Sequence, residues 1–326
     1  MSGQRWDGLA GPVTVSVPAT SANLGPGFDA LGVALDLTDR VTAQVTEEGF
    51  AVEVSGAGAG EVPTGADHLI VGTMLTTFQR LGVASPPGLR LTCHNRIPHA
   101  RGLGSSSAAI VAGILLARAL APAAATGRTA APEAQPANDP ALALAAELEG
   151  HPDNVAPCLI GGFTIAWTSP SGAGAVRLTP SADVRPVVYV PEHRGLTAQA
   201  RAALPEQVPH RDAVFNLART ALLVHALTAA PQLLLSATED RLHQPYRAAS
   251  MPETAGLVAS LRGAGIPAVV SGAGPSVLAL TGDFAPPWPD PPPGWSVHPL
   301  SWSLAGASMV DSGHAGGDPV AAGRVG

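Results

Sequence analysis

The stretch Pro98-His-Ala-Arg-Gly-Leu-Gly-Ser-Ser-Ser-Ala-Ala109 decides how the chain is read, because a glycine-rich turn here runs straight into a helical segment. Gly102 and Gly104 can take backbone angles closed to other residues, which lets the main chain approach a ligand closely. Ser105, Ser106 and Ser107 are residue types that favour a helix N-cap. Ala108 to Leu120 is rich in Ala, Leu and Ile and has helical composition. The first N–H groups of that helix lack intrahelical partners, and its dipole turns positive charge toward the turn. Helix starts commonly carry Asp or Glu in the first turn, and this one carries none, which suits a phosphate. Arg96, His99 and Arg101 stand just upstream and gather more positive charge. The same glycines would also close an ordinary strand-to-helix turn, with the serines only capping it. Alone, then, the stretch names an anion and no reaction.

Upstream, Leu89 to Cys93 reads as the strand that feeds the turn, and Leu69 to Leu81 as an amphipathic helix. Val33 to Leu37, Val41 to Thr46 and Phe50 to Val54 read as further strands. Val13 to Val17 alternates like a strand and stops at Pro18. Pro18 to Asp29 is too rich in Gly, Pro, Ser and Asn for regular structure, and its Thr20, Ser21, Asn23 and Asp29 either converge on a small ligand or form an Asn/Asp turn. Downstream, Ala141 to Glu149 is a helix ending at Gly150. Glu147 and Glu149 oppose its dipole, which is tolerated if one binds a cation and equally if both are solvated. His151-Pro-Asp-Asn-Val-Ala-Pro157 gathers polar side chains on a short loop, before a buried strand at Gly161 to Trp167. Strands alternating with helices give an α/β or α+β class.

The second half opens with a strand at Arg185 to Val190. Helices are expected at Leu196 to Leu204, Ala213 to Ala229 and Ala255 to Gly263. Asp240 to Arg247 is polar and turn-rich, and Ala268 to Leu280 reads as strand, glycine turn, strand. At 326 residues two domains are expected, since about 150 residues per domain is usual. Their limits are placed at 1–180 and 181–311, with a disordered tail at 312–326 and a low-complexity surface insertion at Pro122 to Pro140.

Composition excludes more than it names. All 18 basic residues are arginine, so a Walker P-loop, a protein-kinase lysine and a pyridoxal Schiff base are ruled out. A net charge of −7 argues against nucleic acid and against a polybasic membrane patch. Cys93 and Cys158 offer no metal or disulfide spacing. Met1 to Asp7 lacks the apolar core of a signal peptide, and no apolar run reaches the ~20 residues of a membrane span, so a cytoplasmic protein is expected.

Three stretches together resemble the GHMP kinase superfamily: the strand and loop from Val17, the turn Pro98 to Ala109, and Ser271-Gly-Ala-Gly-Pro-Ser276. Within it, Val17 to Gly32, Glu149 to Pro157, Ala200 to Pro205, Asp212 to Leu217 and Asp240-Arg-Leu-His-Gln-Pro-Tyr-Arg247 are similar to the homoserine kinase family. The likeness covers about residues 13–281 apart from the insertion. It implies a two-domain fold with a ribosomal-S5-like N-terminal half and a ferredoxin-like C-terminal half. It also implies ATP-dependent phosphorylation of the L-homoserine hydroxyl on the route to threonine, by a homodimer. Carried onto this sequence, Pro98, His99, Ala100, Arg101, Gly102, Leu103, Gly104, Ser105, Ser106, Ser107 and Ala108 would surround ATP, and Ser107 and Glu149 would hold Mg²⁺.

By the same resemblance Asn23, Asp29, His151, Asp153, Thr197, Arg201 and Arg247 would line the homoserine pocket, with Asn23, Asp153 and Arg201 closest to the chemistry. Two arginines can fork a carboxylate, two aspartates can take an ammonium, and Asn23 can hold the hydroxyl. Mevalonate-type relatives pair an Asp base with a Lys, and this chain has no lysine, so no strong base is expected. The family commonly has Asn where this chain has His68, and Glu147 rivals Glu149 as the metal ligand. Alternatives are a mevalonate- or shikimate-type acceptor, a superfamily decarboxylase, or a nucleotide-binding module without turnover.

Overall fold

A computed structural model describes Trp6 and residues 11–122, 139–195 and 197–310, the side chains of 197–199 excepted. Residues 123–138 of the expected insertion and the expected tail lie outside the described residues. The first sheet begins with β1 (Val13–Ala22), β2 (Leu31–Thr46), β3 (Gly49–Gly56), β4 (Gly88–Asn95), β5 (Phe163–Ser169) and β6 (Gly172–Leu178). β3 and β4 run parallel, and the helix α1 (Leu69–Arg80) supplies the crossover that parallel strands require. The remaining neighbours pair antiparallel. α2 (Ser105–Leu120), α3 (Pro140–Glu149) and α4 (Pro152–Ile160) join α1, and the main core lies between these helices and the sheet.

Two expected strands are one. β2 runs unbroken from Leu31 to Thr46, and β1 continues past Pro18 to Ala22. Proline has no N–H to give the ladder, so the register shifts there: Pro18 faces Thr38, while Ala19 faces Leu35. Thr20 and Ser21 are therefore buried strand residues and not loop ligands. The expected loop at His151 to Pro157 is also corrected, because Pro152 to Ile160 is helical. Pro152 stands at a first-turn position that needs no N–H, and Pro157 forgoes only one bond, to the Asp153 carbonyl. Burial of all nine residues outweighs that loss. β5 is buried only in its first half: Trp167, on the same face as the buried Phe163, is 42% exposed.

The second sheet is four-stranded and antiparallel, made of β7 (Arg185–Pro191), β8 (Ala268–Val270), β9 (Val277–Thr281) and β10 (Trp295–Pro299) in the order β10-β7-β9-β8. α5 (Thr197–Ala202), α6 (His210–Thr228), α7 (Leu234–Ala237), α8 (Gln244–Arg247) and α9 (Pro252–Gly263) belong to this half. Alternation divides the sheet. Val188, Val190, Leu278 and Leu280 join the main core, while Val187, Tyr189, Val277 and Ala279 pack with Leu261 of α9. A final strand, β11 (Ser308–Val310), not anticipated from sequence, returns to pair with β1. Chain past residue 300 thus completes the first sheet.

Asp39 fixes the entrance to the phosphate turn. It is 6% exposed, and its Oδ1 accepts the N–H groups of Arg96 (2.6 Å) and Ile97 (2.8 Å). Burial pushes its pKa up to about 6, against the pull of those two donors and of Arg96. The folded value exceeds the unfolded one, so this group's contribution to stability is greatest below about pH 4 and is lost as pH rises through 6. The ionised carboxylate at pH 7 then costs on the order of 3 kcal/mol relative to the acid. Asp39→Asn is expected to flatten the decline between pH 4 and 6, as read by urea unfolding across that range.

Candidate active site

A cavity of about 350 Å³ opens where the phosphate turn, the starts of α2 and α4, the 23–29 turn, α5 and the β8–β9 hairpin meet. A larger one, about 490 Å³, lies beside α6, α8 and α9 with Phe215 and Val258 in its wall, and it brings together none of the expected site residues. Chemistry, not volume, selects the first.

The turn is wedged between the two halves. Gly102 is left-handed (φ 75°), and a Cβ there would lie 2.3 Å from the Ser271 carbonyl oxygen. The Gly102 carbonyl accepts the Ser271 hydroxyl at 2.7 Å. Gly104 is the N-cap of α2 in the left-handed region (φ 70°) and makes no side-chain cap bond. The serines therefore do not cap, as the sequence suggests, but form the first turn of α2, because the cap position demands a conformation that strains a serine. Their hydroxyls are free for another partner. Ser106 Oγ and Ser107 Oγ both donate to Glu149 Oε1, at 2.7 and 2.8 Å. This explains a carboxylate at the wrong end of α3: it sits against the positive end of α2. Glu147 instead pairs with Arg80 and is not a wall of the cavity.

Of the residues expected around ATP, Ala100, Arg101, Gly102, Gly104, Ser105 and Ser106 line the cavity. Leu103, Ser107 and Ala108 are buried behind it, and Pro98 and His99 are not among its walls. Of the three basic residues expected to concentrate charge there, Arg101 alone lines the cavity. Arg101 donates to the carbonyls of Pro191 (2.8 Å), His99 (2.8 Å) and Glu192, so its guanidinium staples the turn to the end of β7. His99 packs against Gly58, and burial first, with Arg194 and Arg101 beside it, holds its pKa below the ordinary imidazole value. Arg96 is exposed. Positive charge at the turn thus comes from Arg101 and from the start of α2. His68 caps α1, its Nδ1 accepting the Ile70 N–H at 3.2 Å, so it supplies an acceptor where the family commonly has Asn.

At the other end, Asn23 and Asp29 are left-handed residues (φ 68° and 55°) locked to each other. Asn23 Oδ1 accepts the Asp29 N–H at 2.9 Å, and Asn23 Nδ2 donates to the Gly272 carbonyl at 2.8 Å. Arg201 forks the Asp29 carboxylate at 2.9 and 3.1 Å, so its expected partnership with a ligand carboxylate is contested inside the protein. Arg247, 2% exposed, donates from Nε to the Ala200 carbonyl at 3.0 Å, and its Nη2 has no hydrogen bond among the described residues. His151 Nδ1 bonds the buried Asp153 carboxylate. Burial lowers the His151 pKa, but the bond to Asp153 and its charge outweigh this and leave it above the ordinary value. Thr197 opens α5, and its side chain lies outside the described residues. Asn154, Gly195, Gly272 and Ala273 complete the wall. Of these, Asn154, whose Oδ1 accepts Thr20 Oγ1 at 2.8 Å, belongs to a polar cluster visible in the sequence. Gly195 gives no such signal.

The residues of the chain match the GHMP kinase N-terminal domain over 68–162 and the GHMP kinase C-terminal domain over 218–287. A homoserine kinase of Streptomyces coelicolor is 55% identical over 83% of this chain and 87% of its own length. The chain belongs to the homoserine kinase family. A second member, from Streptomyces avermitilis, is 50% identical over 93% of this chain and 99% of its own. The crystal structure of the homoserine kinase from Cytophaga hutchinsonii superposes with a TM-score of 0.75 at 25% identity, covering 94% of this chain and all of that one. For a homoserine kinase the cavity has two suitable ends, a main-chain anion cradle at Gly102 to Ser106 and a cluster of arginine and aspartate at 29, 153, 201 and 247.

Proposed function

We propose that this cavity carries out the family's reaction, transfer of the γ-phosphoryl group of ATP to the side-chain hydroxyl of L-homoserine on the route to threonine. One observation carries the assignment of residues: the amide cradle and the zwitterion-binding side chains share a single cavity. Phosphoryl transfer asks mainly for alignment and charge neutralisation, and both ends are held by rigid hydrogen bonds. Gly102, Gly104, Ser105 and Ser106 cradle the phosphates at the start of α2. Arg247 takes the homoserine carboxylate, with Arg201 at its side. Asp29 and Asp153 take the ammonium, and Asn23 faces the hydroxyl.

Oxygen donors suit Mg²⁺, and Glu149 with the Ser106 and Ser107 hydroxyls forms such a set. When bound there, Mg²⁺ supplies neutralisation of phosphate charge. Asp153 is tied to His151 and so is poorly placed as a base. Asp153→Asn is expected to raise the KM for homoserine about tenfold, the size of one charge-assisted hydrogen bond, and to leave most of kcat. Loss of turnover at unchanged affinity would make Asp153 the proton acceptor instead.

The two units divide near residue 180, except that β11 returns from the second unit to the first sheet, and the protein acts as a cytoplasmic homodimer. Among the described residues no helix is long and apolar enough to cross a membrane. The test is ADP release with ATP and Mg²⁺ across homoserine, threonine, mevalonate and shikimate. Response to homoserine above the others is expected, and its absence would overturn the reading.

A further inference from the structure

His243 lies behind the acceptor end of the cavity, is fully buried, and is not a cavity wall residue. Its Nε2 stands 2.8 Å from the Gly25 carbonyl oxygen, which can only accept, so Nε2 carries the proton. Nδ1 is then a lone-pair acceptor, and it faces Arg247 Nη1 at 3.2 Å. The other acceptor for that Nη1, the Gly272 carbonyl, is more distant at 3.4 Å. Phe28 stacks on the imidazole with centroids 5.1 Å apart, and the Arg247 guanidinium carbon lies 5.3 Å from the centroid of the Phe28 ring. The backbone around His243 is fixed in turn: Asp240 accepts the N–H groups of Leu242 (2.8 Å), His243 (3.1 Å) and Gln244 (2.7 Å).

We propose that His243 is a positioning residue for the reaction, a neutral Nε2–H imidazole whose Nδ1 sets the plane of the Arg247 guanidinium and links it to the 23–29 turn through Gly25. The proposal rests on the reading that Arg247 receives the acceptor's carboxylate. A planar fork recognises a carboxylate only in the right plane, so a group that fixes the plane governs acceptor affinity without touching the acceptor. Asp240 Oδ2 also faces Nε2, at 3.5 Å; burial first, with the Arg247 charge, outweighs the pull of Asp240, Gly25 and Asp29 and holds the ring below the ordinary imidazole pKa, which preserves the lone pair.

Two amide substitutions separate the two bonds. His243→Gln can reach the Gly25 carbonyl but leaves no acceptor where Nδ1 stood, whereas His243→Asn keeps that acceptor and loses the longer bond. The measurements are KM for homoserine, KM for ATP and thermal midpoint for each. His243→Gln is expected to raise the homoserine KM about tenfold with the ATP KM within about twofold, and His243→Asn to raise it about threefold or less. In an Arg247→Lys background, His243→Gln is expected to add less than about twofold, because the guanidinium it positions is gone. Equal KM changes in both amide variants, or losses that follow only the thermal midpoint, would overturn the proposal and leave Arg247's assignment standing. If Arg247→Lys alone left the homoserine KM unchanged, the carboxylate assignment itself would fall, and the proposal with it.

Discussion

Glu149→Gln is expected to lower kcat about a thousandfold while the protein stays folded, a loss of about 4 kcal/mol in transition-state stabilisation. Glutamine keeps an Oε1 for the Ser106 and Ser107 hydroxyls, which donate to Glu149 at 2.7 and 2.8 Å, so the junction of α3 with α2 retains its bonds. What disappears is the negative charge, and with it the charged oxygen donor for a divalent cation beside the phosphate cradle. The measurement is kcat against Mg²⁺ concentration, with the thermal midpoint as the check on folding. Glu147→Gln makes the contrast. That side chain pairs with Arg80 where both are more than half exposed, and such a pair contributes about 0–1 kcal/mol. Its kcat is expected to stay within about twofold of the parent. A large loss in the Glu147 variant, with little in the Glu149 variant, would move the metal site to the wrong face of α3.

Local chemistry was legible where a short stretch carries its own instruction. Gly102 to Ser107 announces a turn into a helix, because that effect is confined to adjacent residues. What sequence did not show depends on distant partners. Pro18 argues against a strand until β2 supplies a register shift that absorbs it. Two prolines argue against a helix at 152–160 until complete burial is counted. Arg101 reads as a phosphate ligand because its charge is visible, whereas the Pro191 carbonyl that takes its Nε–H lies 90 residues away. Arg201 and Asp29, 172 residues apart, were each expected to meet the substrate, and they meet one another. Asn23, Asp29, His151, Asp153, Arg201 and Arg247 were therefore readable as a set that shares one cavity, while their bonds to one another required the packing.

Gly104→Ala tests whether that packing, and not the mere presence of glycine, makes the anion cradle. Two costs combine at this position. Alanine in the left-handed region loses about 1–2 kcal/mol. Its Cβ would also lie 1.9 Å from Thr20 Oγ1, so the Thr20 side chain must give way and the buried Thr20–Asn154 bond of 2.8 Å is lost, about 1 kcal/mol more. The expected result is a thermal midpoint lowered by several degrees and an ATP KM raised tenfold or more, since the first N–H groups of α2 swing away from the phosphates. Gly49→Ala isolates the first cost: Gly49 is left-handed too (φ 76°), is the first residue of β3, and has nothing within 4 Å of its added Cβ. It is expected to lose stability alone, with the ATP KM unchanged. Adding Thr20→Ala to Gly104→Ala removes the obstructing hydroxyl but leaves the strained backbone. If the clash governs binding, the double variant recovers much of its ATP affinity at little gain in stability; if backbone angle governs, affinity stays lost, and the cradle depends on Gly104 for its conformation and not for its lack of volume.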